Sequence, residues 1–198
     1  MRRKPLTHAL IAVLAITVLP LSAVASPRLV LDTFSFFFFE GENASAVLPS
    51  GAEIPLQLTQ SSATSWKITI PQGSLNVPPV RYPSGLNVRW TLSAPAVGQL
   101  TLTKEGGSCK IEAPLVAHVE GRSSSVPFPL TFSTETATSE ADGLVASRKG
   151  ARLEPASGFL QLVAAGISPE GAPTAPGKPF YAVLSGQIVD LPQGLAAP

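Results

Sequence analysis

The chain has 198 residues, 14 Lys+Arg against 13 Asp+Glu, and a single cysteine. That balance carries no excess of basic charge of the kind that binding nucleic acid or an anionic membrane surface requires. A lone Cys109 excludes an internal disulfide, so stability has to come from a packed core.

Arg2, Arg3 and Lys4 make a basic start. Ala9 to Leu19 is an apolar run broken only by Thr17, and Pro20 ends it. Ala23-Val24-Ala25 then puts small residues at the −3 and −1 positions of a cleavage site before Ser26. This layout predicts a secretory signal peptide over residues 1–25. The run is shorter than the ~20 apolar residues of a membrane span. No cysteine stands at the cleavage site to carry a lipid, and Pro5 disfavours a twin-arginine signal. Taking 25 from 198 leaves a mature chain of 173 residues, the size of one domain. Without its three basic residues the count is 11 Lys+Arg against 13 Asp+Glu, a formal charge of −2. Residues 26–198 are therefore expected to form one exported domain, periplasmic or at the cell surface, with no membrane span.

Phe34 to Phe39 is aromatic at every position but Ser35. A strand covered on both faces has this composition, and so does one whose outer face meets a partner or a lipid-like ligand. Phe34, Phe36, Phe37, Phe38 and Phe39 are thus the candidate apolar contact surface. Glu40, Glu42 and Asn43 follow, an oxygen-rich trio without the acidic spacing of a calcium loop. Asn43-Ala44-Ser45 is a glycosylation sequon, of consequence only in a eukaryotic secretory pathway.

From there the period is two. Ile54, Leu56 and Leu58 alternate with polar residues and Pro55; Trp66, Ile68 and Ile70 alternate with Lys67 and Thr69. Leu86, Val88, Trp90 and Leu92 alternate with polar residues, and so do Val126, Phe128, Leu130 and Phe132 with Pro127, Pro129, Thr131 and Ser133. One dry and one wet face is the pattern of antiparallel sheets. Proline cannot donate to a ladder, so strands holding Pro55, Pro127 and Pro129 are expected to be edges or to start late. Pro78 and Pro79 are read as a bend between strands. The stretches around Trp66 and Trp90, each followed by Pro and Gly, echo one another faintly, as short hairpins do.

Ser139 to Arg152 is the best helical candidate, but Asp142-Gly143 is a turn signal inside it and predicts a hairpin or loop. Arg148, Lys149 and Arg152 read as a solvated basic turn face. Ser168 to Lys178 is rich in Gly and Pro and predicts a loop. Phe180 to Leu191 is apolar on both parities, as in a strand covered on both faces, with Gly186 a candidate bulge. The prediction is an all-β, antiparallel β-sandwich of about nine to eleven strands.

Chemistry is sparse. One histidine, His118, remains in the mature chain, so a multi-histidine zinc site is excluded. Cys109 alternates with Ile111 and reads as a small buried residue. If one strand carries both Cys109 and His118, their odd spacing sends them to opposite faces. No serine elbow, phosphate loop or dinucleotide fingerprint is present. Glu135, Glu140 and Asp142 lie among hydroxyl residues and read as an exposed loop. The expectation is a non-catalytic protein without a cofactor. It binds a protein or envelope component, or forms part of a surface assembly; the alternative is a carrier of an apolar small molecule or lipid. A small outer-membrane barrel and a carboxylate-based hydrolase are the weaker readings.

Overall fold

The computed structural model describes residues 26–123, 125–192 and 195; the predicted signal peptide lies outside them. Fifteen strands follow in chain order: β1 (Arg28–Leu31), β2 (Phe36–Phe39), β3 (Ala44–Val47), β4 (Glu53–Pro55), β5 (Gln57–Ser62), β6 (Ser65–Ile70), β7 (Val77–Arg81), β8 (Asn87–Leu92), β9 (Ala96–Thr103), β10 (Gly106–Val119), β11 (Ser125–Ser133), β12 (Thr136–Ala141), β13 (Leu144–Lys149), β14 (Phe159–Ile167) and β15 (Pro179–Val189). A single 3-10 turn, Glu40–Glu42, separates β2 from β3. The described residues contain no α-helix, and no helix long and apolar enough to cross a membrane. Every ladder is antiparallel. The strands outnumber the nine to eleven that alternation predicts. Part of the excess comes from extended runs broken by one residue, as at Leu56 between β4 and β5.

Thirteen strands belong to one hydrogen-bonded sheet in the order β3-β2-β15-β14-β11-β10-β9-β6-β5, with β1, β4, β7 and β8 branching from it. Two long strands create the branches. Along one side β10 pairs with β11 from Lys110 to His118. Along the other it pairs with β9 as far as Glu112 and with β8 from Leu115 onward. Pro114 sits at the changeover, and its carbonyl accepts from both the N–H (2.9 Å) and the hydroxyl (2.8 Å) of Ser93.

The second long strand, β15, repeats the device. It pairs with β14 on one side and with β2, then β1, on the other. At that changeover Ser185 has no strand residue opposite it, and Ser35 fills the gap. The Ser35 hydroxyl donates to the Ser185 carbonyl and accepts from the Ser185 N–H, both at 2.9 Å. The Ser185 hydroxyl in turn donates to Asp32 Oδ2 at 2.7 Å. Both serines are buried. This is why a serine interrupts the phenylalanine run. Ser35→Ala leaves a buried N–H unpaired, and we expect it to lower the unfolding free energy by about 1–3 kcal/mol, measured by urea denaturation.

The sheet curls until its inner face meets itself. Phe39 of β2 stacks on Trp90 of β8 (centroids 5.2 Å apart, planes 13° apart), although four strands, β15, β14, β11 and β10, separate them in the sheet order. Phe128 and Phe180 complete the group, each 4.7 Å from a neighbouring ring. At one end β4 pairs with β1 and β5 with β6, so the extended run 53–62 links the two extremes of the sheet. Edges β3 and β7 approach with Cα atoms within 8 Å but form no ladder.

The two remaining strands, β12 and β13, form a separate ribbon joined by Asp142-Gly143, both at positive φ. It lies against β14 and β15 and covers their outer face. Val163, Val183 and Ala146 are consequently fully buried outside the main core. Coverage on both faces is what the apolar residues of β15 on both parities predict, Ser185, Gly186 and Gln187 apart. Gly186 is not a bulge: the register runs through it unshifted, and a Cβ there would stand 2.1 Å from the Val30 carbonyl oxygen. The tryptophan echo does not extend to geometry. Gly73 lies in a turn at φ +78, whereas Gly98 is paired within β9.

Candidate functional site

The five candidate phenylalanines divide by strand parity. Phe37 and Phe39 point inward and are 1% and 2% exposed. Phe36 and Phe38 are half-buried on the outer face, where they pair with Val183 and Tyr181 of β15. The Arg148 guanidinium lies 5.3 Å from the Phe36 ring centroid, a cation–π contact from the ribbon. Only Phe34, in the turn before β2, stands 68% exposed.

The basic trio is dispersed. Arg148 caps Phe36, while Arg152 bridges Glu135 (2.8 Å) and Glu105 (2.6 Å). Glu40 and Glu42 lie in the 3-10 turn, and Asn43 follows at φ 44 with its N–H on the Glu40 carbonyl. Among the described residues no group of three or more His, Cys, Asp or Glu side chains is placed to hold a metal ion.

Cys109 and His118 lie on the same strand, β10, on opposite faces. His118 is exposed, with Nε2 3.0 Å from the Thr91 hydroxyl oxygen. Cys109 is buried, and its N–H donates to the Thr134 hydroxyl at 2.8 Å. Burial pushes the Cys109 thiol up to about 12 and raises the Tyr82 phenol in the same direction. An unfolded thiol ionises near ~8.5, so above that pH the unfolded chain loses its proton first. The Cys109 contribution to stability is therefore complete below about 8.5 and declines as pH rises toward about 12. At pH 7.5 we expect iodoacetamide to leave the folded protein unmodified and to add one carbamidomethyl group after unfolding, read by intact mass.

A cleft of about 780 Å³ lies between β11 and β14 on the outer face, with β12 as a side wall. Its origin is a broken ladder. These two strands are antiparallel neighbours but share one pair, Ser133↔Val163. Beyond that apex no further pair forms, and β11 back to Pro127 and β14 forward to Ile167 line the cleft.

The phase of the flanking ladders says which backbone groups face the opening. Thr134 N–H bonds the Cys109 carbonyl, whereas the Pro114 carbonyl turns away to Ser93. Opposite residues of an antiparallel pair alternate between bonded and non-bonded. Pro127, Pro129 and Thr131 therefore direct their backbone groups away from β10, into the cleft. On β14, Gln161 exchanges both bonds with Ala151, while Gly158 and Ser168 bond toward β15. Ala165 and Ile167 therefore face the cleft as well. Two prolines thus stand where β11 would donate to β14, and this is why the sheet opens here.

The cleft holds carbonyls on both walls, but N–H groups only from Thr131, Ala165 and Ile167. Phe128 and Phe180 line it and connect it to the aromatic cluster within. Gly166 makes room for that floor, since a Cβ there would lie 2.2 Å from the Phe180 ring. Lys110, beside the apex, is the single charged side chain among the lining residues.

Pro127 and Pro129 predict an edge strand, but β11 lies inside the sheet between β10 and β14; what the prolines mark is its β14 side, where only the Ser133↔Val163 pair forms. Sequence reading missed β14 as the facing wall, because pairing between segments thirty residues apart leaves no local mark. Pro78 and Pro79, read as a bend, lie inside β7, whose outer side is the unladdered seam with β3. No protein-family model, curated protein or solved structure matches the chain.

Proposed function

We propose that this is an exported, non-catalytic β-sandwich protein of the cell envelope or surface that binds a partner, with the β11–β14 cleft as its binding site. The observation that carries this reading is the pair of facing strand edges left without partners. Unpaired strand edges are a recurrent means of protein recognition. Export rests on the basic start, apolar run and small-residue cleavage site of residues 1–25. The polarity of the curled sheet suits an aqueous compartment. Trp90, Leu115 and Phe128 point inward, while Arg89, His118 and Thr131 point outward, the reverse of a lipid-embedded barrel.

The test is site-specific photo-crosslinking. With p-benzoylphenylalanine in place of Thr138, on the cleft wall, a discrete adduct with an envelope component is expected in cells. The same probe at Thr59, on β5, is expected to give none. Equal labelling at both positions, or none at either, sinks the proposal.

A second reading, a carrier of an apolar small molecule, draws on a different observation. The cleft volume falls in the range of small-ligand sites. The adjoining aromatic cluster also holds Trp90 Nε1 and Tyr82 OH, both buried and without a hydrogen-bond partner. Native mass spectrometry of protein released without detergent separates the two readings. A retained lipid-sized mass favours the carrier, and a clean polypeptide mass favours partner binding.

A further inference from the structure

Resting on the partner-binding reading, we infer that the cleft takes the extended C-terminal tail of another polypeptide, entering between β11 and β14 with its terminal carboxylate at Lys110. Three observations converge on that occupant.

The first is the backbone chemistry of the two walls. Each presents groups at strand spacing, and only an extended polypeptide offers N–H and C=O groups at the same repeat. A lipid chain leaves the Ala165 and Ile167 amides without partners, and the hydroxyls of a sugar do not repeat at strand spacing.

The second is direction. Because β11 and β14 are antiparallel, a strand inserted between them is antiparallel to one and parallel to the other. Pro127 and Pro129 leave β11 only the Thr131 N–H, beside the apex, as a donor, whereas Ala165 and Ile167 both offer donor and acceptor along β14. The complete ladder therefore forms along β14, and the antiparallel choice is the more stable pairing. β14 runs from the apex at Val163 outward to Ile167, so an antiparallel guest runs inward and ends at the apex.

The third is charge. Lys110 lies at that apex, opposite Ser133, and no carboxylate lines the cleft. Cations beside a strand terminus complement a chain-end carboxylate. Leu195 is buried at the far end of β15, where Val189 pairs with Arg28, while the cleft adjoins Phe180 at the other end.

The experiment uses the mature protein and a library of fluorescein-labelled octapeptides, apolar at alternate positions, each made with a free and an amidated C-terminus. Fluorescence anisotropy is expected to find binders with free carboxylates that weaken by about threefold or more on amidation. Lys110→Gln is expected to remove that difference while leaving the amidated affinity unchanged. Ala165→Pro, which deletes an N–H facing the cleft and not the β15 ladder, is expected to weaken binding about tenfold. Circular dichroism and the thermal midpoint verify that both variants fold. Thr131→Pro provides a second, independent deletion of a cleft-facing N–H should Ala165→Pro misfold.

Peptides that bind equally well with amidated ends, or that ignore both proline variants, overturn the inference. So does a library without binders. If the Thr138 probe still crosslinks to an envelope component in that case, partner binding stands and the tail geometry falls. If the probe gives nothing either, both fall. Self-association that is lost on Lys110→Gln would make the guest a second copy and would also overturn it.

Discussion

Phe39→Ala is expected to lower the unfolding free energy by about 3–5 kcal/mol, and Phe34→Ala by no more than about 0.5 kcal/mol. Five residues apart in one aromatic run, they differ in what surrounds them. The Phe39 ring stacks on Trp90 and touches Tyr82, Phe128 and Phe180, with centroids 5.2 to 6.4 Å away. Those rings come from β8, β11, β15 and the turn after β7, so removing Phe39 empties the point where the curled sheet meets itself. Neighbours held by their own ladders cannot collapse into the space, and the cavity cost adds to the lost burial. Phe34 leaves mostly water behind. Guanidinium denaturation of the two variants decides the matter. Equal losses would mean that the run acts as one surface, and the division of its residues by parity would be wrong.

Proline scanning of β14 should give the second large contrast. Ala164→Pro removes an N–H bonded across to Ala182 and leaves that carbonyl buried and unpaired. We expect a loss on the order of 3 kcal/mol, with reduced folded yield. Ala165→Pro removes an N–H that faces the cleft, and we expect a loss of about 1 kcal/mol or less. The order of the two midpoints in thermal unfolding is the readout. A reversed order would place the Ala165 amide in a ladder and close the cleft that the functional proposal needs.

The legible parts of the fold and site are those written at period two. Alternation alone puts Leu86, Val88, Trp90 and Leu92 on one face; Val88, Trp90 and Leu92 are buried there and Leu86 is half-buried. Pro55, Pro127 and Pro129 each sit in a ladder on one side of their strand, with β1 or β10, and mark the other side, where no continuous ladder forms. The hairpin turn at Asp142-Gly143 was readable because two successive positive φ angles suit those residue types. Pro78-Pro79 misled because a proline pair looks the same in a bend as along the free side of β7.

Local chemistry thus dictated an antiparallel β protein, the parity of most side chains, the proline-blocked strand sides and the burial of Cys109. Tertiary contacts decided the rest: that Ser35 stands in for a missing strand residue at Ser185, that β12 and β13 cover β14 and β15, and that β11 and β14 face each other across an opening. The reason is separation along the chain. A residue's own neighbours settle whether it donates, accepts or alternates, but only closure of segments tens to 150 residues apart settles which group it meets.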